Sequence, residues 1–216
     1  MTTTGPDVVV LGGTGYLGSA LAALLGSHGI RTRVVGRRFR TSADQWTESV
    51  RADVTDKDAL AKAVAGCGVV VHLVAHLTAG RAWRLSADDA EGARINVRPV
   101  VNLADLLVNR ANAAPATLVT AGTTAVAGCA ARLRLDGTEP DRPVTAYDEQ
   151  KLAVERAVKA AAGTGRVHAV PLRLPTVYGI GAASRSAGSG VVTVMARRAA
   201  EGLPLTMWHD GSVRRD

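Results

Sequence analysis

The chain has 216 residues, of which 47% are hydrophobic and 21% are charged, and its formal net charge is +7. This composition excludes a disordered protein, and scattered arginines with only 3% aromatic residues do not favour a nucleic-acid partner. No apolar run reaches the ~20 residues that span a bilayer, and the N-terminal MTTTGPD lacks the regions of a signal peptide, so we expect a cytoplasmic protein with no membrane partner.

The first predicted element is a short buried strand over 8–11, because four apolar residues stand in a row there. GGTGYLG follows, and a helix is predicted over 19–25. Strand, glycine turn and helix in this order form a cradle for a pyrophosphate, since glycines let the backbone approach and the helix N-terminus faces the negative charge. The fingerprint glycines are Gly12, Gly15 and Gly18; an ordinary tight turn is the alternative.

A second strand is predicted over 32–36, and Arg37 and Arg38 follow it. In a dinucleotide-binding unit the residue after this strand lies beside the adenine ribose. A carboxylate there accepts the ribose 2′-hydroxyl, whereas an arginine accommodates a 2′-phosphate. The two arginines therefore favour NADP(H) over NAD(H), although a pair of solvated surface arginines would give the same sequence.

The rest of the chain alternates between strands and helices. We predict strands over 50–54, 69–75, 117–120, 168–174 and 203–208, and helices over 56–65, 88–111, 146–162 and 191–201. Thr55 is the predicted N-cap of the first of these helices, Pro99 predicts a bend, and Pro171 indicates a strand at or near an edge. The alternation predicts an α/β fold with a doubly wound parallel sheet of the Rossmann type.

A second motif, YDEQK, places Tyr147 and Lys151 four residues apart on the predicted helix over 146–162. This spacing puts both side chains on one helical face, and we expect the ammonium to lower the pKa of the phenol toward the working pH. Any helix can carry such a pair by accident. Hydroxyls at the end of the strand over 117–120, including Thr123, would join the pair at the ligand-binding edge of the sheet.

The histidines predict no metal site, because His28, His168 and His209 do not form a ligand cluster. His72 lies in an apolar strand and is expected to be a hydrogen-bonded core residue. His76, at the end of that strand, is a candidate for lining the cofactor cleft.

Together, GGTGYLG, TTAVAG and YDEQK resemble the cofactor, serine/threonine and Tyr-x-x-x-Lys motifs of the extended short-chain dehydrogenase/reductase family. LRLPTVYG is similar to the family segment along the nicotinamide, and WHDGSVRRD to a nucleotide-sugar contact segment. The resemblance covers essentially the whole chain. HLVAH, RLPTVYG and PLTMWHDGSVRRD look most like the dTDP-4-keto-6-deoxyhexose 4-ketoreductases of deoxysugar and antibiotic biosynthesis.

The resemblance implies a dinucleotide-binding Rossmann domain over 1–175 and the start of a substrate-binding lobe, which looks truncated, over 176–216. It implies NADPH-dependent reduction of the C4 ketone of a dTDP-4-keto-6-deoxyhexose, with NADPH preferred and NAD as the alternative cofactor. A dTDP-sugar is the implied partner, and a homodimer through the helices over 88–111 and 146–162 is the assembly expected for such a protein.

The resemblance also assigns roles to residues. Thr123 would bond the substrate carbonyl, Tyr147 would give its proton to the ketone oxygen, and Lys151 would hold the nicotinamide ribose and tune the tyrosine. Asn96 matches a buried polar position of the family. The implied cofactor-binding residues are Gly12, Gly15, Tyr16, Leu17, Gly18, Arg37, Arg38, Asp53, Val54, Ala75, Lys151 and Pro175. The implied substrate-binding residues are Thr123, Thr124 and Arg215, the last as a clamp on the diphosphate.

Two other functions stay open at this point. A nucleotide-sugar epimerase or dehydratase would keep NAD⁺ bound, but Thr124-Ala125 stands where dehydratases of the family place an acidic pair. The other alternative is a non-catalytic dinucleotide-binding protein, because the cofactor domain looks complete whereas the substrate-binding lobe does not. The intact set of Thr123, Tyr147 and Lys151 disfavours that alternative, because folding does not require these three residues.

Overall fold

A computed structural model describes residues 5–39, 46–76, 89–110, 114–128, 136–179 and 190–205. Over these residues the chain forms one six-stranded sheet with helices between the strands. The strands are β1 (Val8–Leu11), β2 (Thr32–Gly36), β3 (Glu48–Arg51), β4 (Val69–His72), β5 (Ala116–Thr123) and β6 (Val167–Leu174). The helices are α1 (Tyr16–Ser27), α2 (Lys57–Ala63), α3 (Ala90–Asn96), α4 (Arg98–Val108), α5 (Ala146–Ala162) and α6 (Gly190–Ala200).

The strands are all parallel and lie in the order β3-β2-β1-β4-β5-β6. The chain therefore starts in the middle of the sheet, winds outward to β3, and then crosses back to β4. This is the predicted doubly wound sheet of the Rossmann type, and its strand order reverses between β1 and β4. The register places Leu11 of β1 beside Val35 of β2 and beside His72 of β4. The carboxyl ends of all six strands consequently meet at one edge.

Helices pack on both faces of the sheet, as is usual for parallel sheets. The larger core lies between the sheet and helices α2, α4 and α5, and consists mainly of valine, leucine and alanine. Leu60, Leu103 and Val158 are fully buried members contributed by these three helices. A smaller cluster of Ala22, Val34 and Trp46 lies on the α1 side. None of the helices in the described ranges has the length and apolarity needed to cross a membrane.

Three predicted boundaries are wrong around β3. This strand covers Glu48–Arg51, not 50–54, because its partner β2 ends at Gly36, which pairs with Arg51. The chain then turns, with the Asp56 amide donating to the Asp53 carbonyl. Asp56, not Thr55, caps α2, since its carboxylate accepts from the amides of the first helical turn.

Elsewhere the predicted elements are largely confirmed, with shifts at their ends. The helix predicted over 88–111 is two helices, α3 and α4, separated at Val97. Pro99 lies in the first turn of α4, where its missing amide hydrogen costs nothing, whereas inside one continuous helix it would interrupt the hydrogen bonding. β5 extends to Thr123, since all eight of its residues pair with β6. β6 is an edge strand of the described sheet, as Pro171 indicates. Of the strand predicted over 203–208, residues 203–205 have no regular structure and the rest lie outside the described residues.

Candidate functional site

A cavity of about 350 Å³ opens at the carboxyl edge of the sheet, beside the point where the strand order reverses. Its walls come from the segments that follow β1, β2, β3 and β4, together with one turn of α3. Ligands of doubly wound sheets bind at this position. Of the residues predicted to bind cofactor, those lining the cavity are Gly12, Gly15, Arg37, Arg38, Asp53, Val54 and Ala75.

The floor of the cavity is the glycine turn between β1 and α1. Gly12 has a φ of 81°, which favours glycine. A Cβ on Gly18 would overlap the carbonyl oxygen of Gly12, so α1 packs on the turn only with glycine there. α1 begins after Gly15 and no side-chain hydrogen bond caps it. The first-turn amides of Tyr16 and Leu17 thus lie at a helix N-terminus suited to the pyrophosphate of a dinucleotide.

One wall of the cavity carries the two predicted arginines. Arg37 and Arg38 follow β2 directly, are exposed, and line the cavity. Asp53 lies near them after β3 and accepts hydrogen bonds from the Thr55 amide at 3.0 Å and the Thr55 hydroxyl at 2.8 Å. The Thr55 amide and hydroxyl, with the positive charges of Arg37 and Arg94, hold the pKa of Asp53 below its usual value.

The cavity is also lined by residues that the sequence did not single out. Arg94 and Ile95 of α3 line the cavity, and Thr14 lies in its floor. The guanidinium of Arg94 donates two hydrogen bonds of 2.7 Å to the Glu91 carboxylate. The i,i+3 spacing of this ion pair was visible in the sequence, but no sequence signal indicated that α3 faces the cavity. His76 also lines the cavity, in agreement with the prediction.

Helix α5 carries the predicted catalytic pair, and a capping box fixes its first residue. The Thr145 hydroxyl accepts from the Asp148 amide at 3.2 Å, and the Asp148 carboxylate accepts from the Thr145 amide at 3.0 Å. α5 therefore starts at Ala146, as predicted, with Tyr147 in its first turn and Lys151 one turn later.

The expected lowering of the tyrosine pKa is wrong for this arrangement. The Lys151 ammonium donates to the Ala121 carbonyl at 2.8 Å and lies over the face of the Tyr147 ring, 5.5 Å from its centroid. Burial and the nearby Asp148 carboxylate raise the pKa of Tyr147 to about 12. Burial also lowers the pKa of Lys151 to about 8, because a low-dielectric site disfavours the charged amine.

Of the remaining predicted residues, Thr123 and Pro175 lie at the carboxyl edge of the sheet. Thr123 ends β5 opposite Leu174 of β6, and its hydroxyl accepts from the Ala125 amide at 3.2 Å, at the start of a 3₁₀ turn over Thr124–Ala127. Pro175 follows β6 at the same edge. Arg215 lies outside the described residues. The described structure thus brings the nucleotide-binding and catalytic candidates to one edge of one sheet.

His72 ends β4 next to Thr120 of β5 and is 4% exposed. It is a core residue, as expected, but within the described part of the chain its Nε2 has no hydrogen-bond partner. Burial and the positive charge of Lys151 lower the pKa of His72 to about 3. The imidazole is therefore neutral at physiological pH. In the same ranges, no three His, Cys, Asp or Glu side chains converge as a metal site would require.

Comparison with protein families matches residues 8–216 to the NAD dependent epimerase/dehydratase family. The chain belongs to this family. The match covers nearly the whole sequence, including the glycine turn, the Thr123 segment and α5. It confirms the resemblance to extended short-chain dehydrogenases/reductases at the level of the family.

The sequence identity to individual members of the epimerase/dehydratase family is low. The chain is 26% identical over 254 residues to the dTDP-L-rhamnose 4-epimerase of Burkholderia thailandensis, covering 98% of this chain and 69% of that protein. MoeE5, solved in complex with UDP-glucuronic acid and NAD, is 27% identical with a TM-score of 0.79. UDP-glucose 4-epimerase of Thermus thermophilus, solved with NAD, is 24% identical with a TM-score of 0.76 and supports the fold alone.

The matched region covers only part of each of those two solved structures. The match covers 95% of this chain but 65% of MoeE5, and 92% of this chain but 64% of the Thermus enzyme. The chain thus spans about two thirds of their length.

Proposed function

We propose that the protein is an NADPH-dependent reductase of the C4 ketone of a dTDP-4-keto-6-deoxyhexose. The observation that carries this proposal is the placement of Tyr147 and Lys151 on α5 at the same sheet edge as the cavity lined by Arg37 and Arg38. A proton donor and a dinucleotide cavity at one edge are what reduction of a ketone needs.

The residues around the cavity fit a nicotinamide dinucleotide. The turn at Gly12 and the uncapped start of α1 suit the pyrophosphate, because a side chain in the turn would fill the cradle. Arg37 and Arg38 would hold a 2′-phosphate through charge-assisted hydrogen bonds. Asp53, together with Val54 and Ala75, would enclose the adenosine. When bound, the cofactor supplies the hydride that the reduction requires.

Tyr147 acts in this proposal as the acid that protonates the ketone oxygen. Its raised pKa keeps the phenol protonated at neutral pH, and a protonated phenol is the form that donates in the reductive direction. Thr123 lies at the end of β5 with its hydroxyl already accepting from Ala125, which leaves the hydroxyl hydrogen for the substrate carbonyl. Lys151 would hold the ribose hydroxyls and orient the phenol.

The substrate class is supported by the relatives. The Burkholderia relative is named for a dTDP-sugar, and MoeE5 was solved with UDP-linked sugars. We assign residues 1–175 to the cofactor domain and 176–216 to the beginning of the substrate lobe, where Thr124 and Arg215 would contact the sugar nucleotide. A homodimer through the helices over 88–111, which are α3 and α4, and through α5 is part of the same proposal.

The second candidate function is a 4-epimerase that retains NAD⁺. Its support is that the Burkholderia relative is named as a 4-epimerase and that MoeE5 was solved with NAD. The two candidates differ in stoichiometry. A reductase consumes one NADPH for each keto sugar, whereas an epimerase interconverts two sugars with no net change in the cofactor.

Fluorescence titration of the full chain with NADPH and NADH tests the cofactor, and incubation with dTDP-4-keto-6-deoxyglucose tests the reaction. We expect tighter binding of NADPH and loss of its absorbance in step with formation of the 6-deoxyhexose. NADH-selective binding, or interconversion of dTDP-hexoses without NADPH consumption, would instead support the epimerase.

A further inference from the structure

Two amide side chains are buried between α5 and α3. Gln150 is 8% exposed, and Asn96 is 3% exposed. The Asn96 Nδ2 donates to the Gln150 Oε1 at 2.7 Å. Gln150 directly precedes Lys151 and lies three residues after Tyr147, so this hydrogen bond connects the helix of the proposed catalytic pair to the end of α3.

The other contacts of Asn96 lead to the cavity wall. Its Oδ1 accepts from the His76 amide at 2.6 Å, and its Nδ2 donates to the His76 carbonyl at 3.2 Å. One side chain therefore holds both main-chain polar groups of His76. His76 and the preceding Ala75 line the cavity. A continuous chain of hydrogen bonds runs from α5, through Asn96, to the loop after β4.

The packing around this connection leaves room only for glycine in α3. A Cβ at Gly92 would lie 2.7 Å from the Gln150 Nε2 and would overlap the Asp89 carboxylate. The Asp89 Oδ1 accepts from the Gly92 amide at 2.9 Å, and its Oδ2 is buried without a partner among the described residues. Glycine inside a helix is unfavourable relative to alanine. Gly92 therefore lowers the helix propensity of α3 but leaves space for the Gln150 amide.

We propose that Gln150 is a positioning residue that acts through Asn96 to fix the distance between α5 and the loop after β4. This inference rests on the proposed function, because the loop is a wall of the cavity assigned to the dinucleotide. A shift of the loop relative to α5 would change the position of a dinucleotide bound in the cavity relative to Tyr147 and Lys151 on that helix. Buried hydrogen bonds between neutral amides are short and directional, so they set this gap more narrowly than apolar packing would.

The test compares Gln150→Met, which keeps the length of the side chain and removes the acceptor, with Gln150→Asn, which keeps the amide and removes its reach. Asn96→Leu and the double variant Gln150→Met/Asn96→Leu complete a double-mutant cycle. Leu152→Ala is the control, because Leu152 is buried on the same helix but does not line the cavity. The readouts are the dissociation constants for NADPH and NADH, hydrogen exchange at the His76 amide, and the melting temperature.

We expect Gln150→Met and Gln150→Asn to weaken NADPH binding by roughly threefold to tenfold and to accelerate exchange at His76. Asn96→Leu should weaken binding further, and adding Gln150→Met to it should have no additional effect, because Gln150 acts through Asn96. Leu152→Ala should lower the melting temperature and leave the dissociation constant unchanged. A merely structural glutamine would add its effect independently in the double variant.

Wild-type affinity in both Gln150 variants, additive effects in the cycle, or unchanged exchange at His76 would overturn the inference. A wild-type chain that binds NADPH without reducing a keto sugar would overturn the reductase proposal alone, and the affinity comparison would still decide the role of Gln150. A wild-type chain that binds neither dinucleotide would overturn both.

Discussion

The two ends of the ligand edge hold positive charge in opposite environments. At the β2 end, Arg37 and Arg38 are exposed beside the cavity. At the β5 end, Lys151 is 7% exposed, and its pKa is lowered to about 8. Exposed charges are screened by water and salt and perturb the fold little, whereas a buried ammonium opposes folding. We therefore expect the two arginines to have little effect on stability, whatever they bind, and the buried lysine to destabilise the folded chain measurably.

The largest expected effect is a loss of turnover when Tyr147, at the β5 end of the ligand edge, is changed. Tyr147→Phe removes only the hydroxyl, so the reduction rate should fall by roughly 10²- to 10⁴-fold, the range for loss of a general acid. The dissociation constant for NADPH should stay at the wild-type value, since the cavity is lined by other residues. Single-turnover measurement of NADPH oxidation checks this; a variant with near wild-type rate would exclude Tyr147 as the proton donor.

The second prediction concerns the effect of the buried Lys151 on the free energy of unfolding of the chain. The pKa of Lys151 is about 8 in the folded chain, against an ordinary value of 10.5. Between these values the unfolded chain binds the proton and the folded chain does not, so the free energy of unfolding should rise with pH across this window. The rise from this one group is roughly 3 kcal/mol. Lys151→Met should abolish it in urea unfolding measured between pH 7.5 and 10.5; an unchanged slope would contradict the assigned burial.

The third prediction uses His72, whose pKa is about 3 in the folded chain against an ordinary 6.5. As pH falls below 6.5, the imidazole of His72 is protonated in the unfolded chain but stays neutral in the folded chain. The free energy of unfolding should therefore decrease by about 2 kcal/mol between pH 7 and pH 5. His72→Leu should flatten this decline in the same range. Equal slopes for variant and wild type would mean that the imidazole is protonated in the folded state.

The smallest expected effect is a change in NADPH affinity when the two exposed arginines at the β2 end are removed. Arg37→Ser combined with Arg38→Ser should weaken NADPH binding by roughly tenfold and leave NADH binding unchanged, because only the 2′-phosphate is lost as a partner. This effect should shrink as salt is added, in contrast to the effects at Lys151. Arg156→Ser, which removes an exposed arginine of α5 outside the cavity, is the matched control. Equal losses for NADPH and NADH would contradict a role in 2′-phosphate recognition.

Sequence patterns predicted the sheet and the gathering of candidates at one edge, because parallel strands must place their carboxyl ends together. β2 and α5 were predicted to the residue. Features that depend on partners distant in sequence were missed. The end of β3 is set by the length of β2, and Arg94 of α3 lines the cavity together with residues that follow four different strands.

The predicted pKa of Tyr147 was wrong for a related reason. The spacing of four places Lys151 on the same face of α5, but it does not specify which part of the phenol the ammonium approaches. The Ala121 carbonyl of β5 attracts the ammonium, which then lies over the ring face. The pKa of Tyr147 is instead raised by burial of the phenol and by the nearby Asp148 carboxylate, and the spacing of four specifies neither of these.

The capping box at the start of α5 has a consequence for how this part of the chain can vary. Because Thr145 and Asp148 fix the first helical residue through their own hydrogen bonds, changes of length in the segment before Val144 leave the helical phase of Tyr147 unaltered. One residue inserted between Thr145 and Tyr147 would instead rotate the phenol by about 100° around the helix axis and raise it by about 1.5 Å. A change of chain length on the N-terminal side of Thr145 therefore keeps the orientation of the phenol on α5, whereas a change on the C-terminal side alters it.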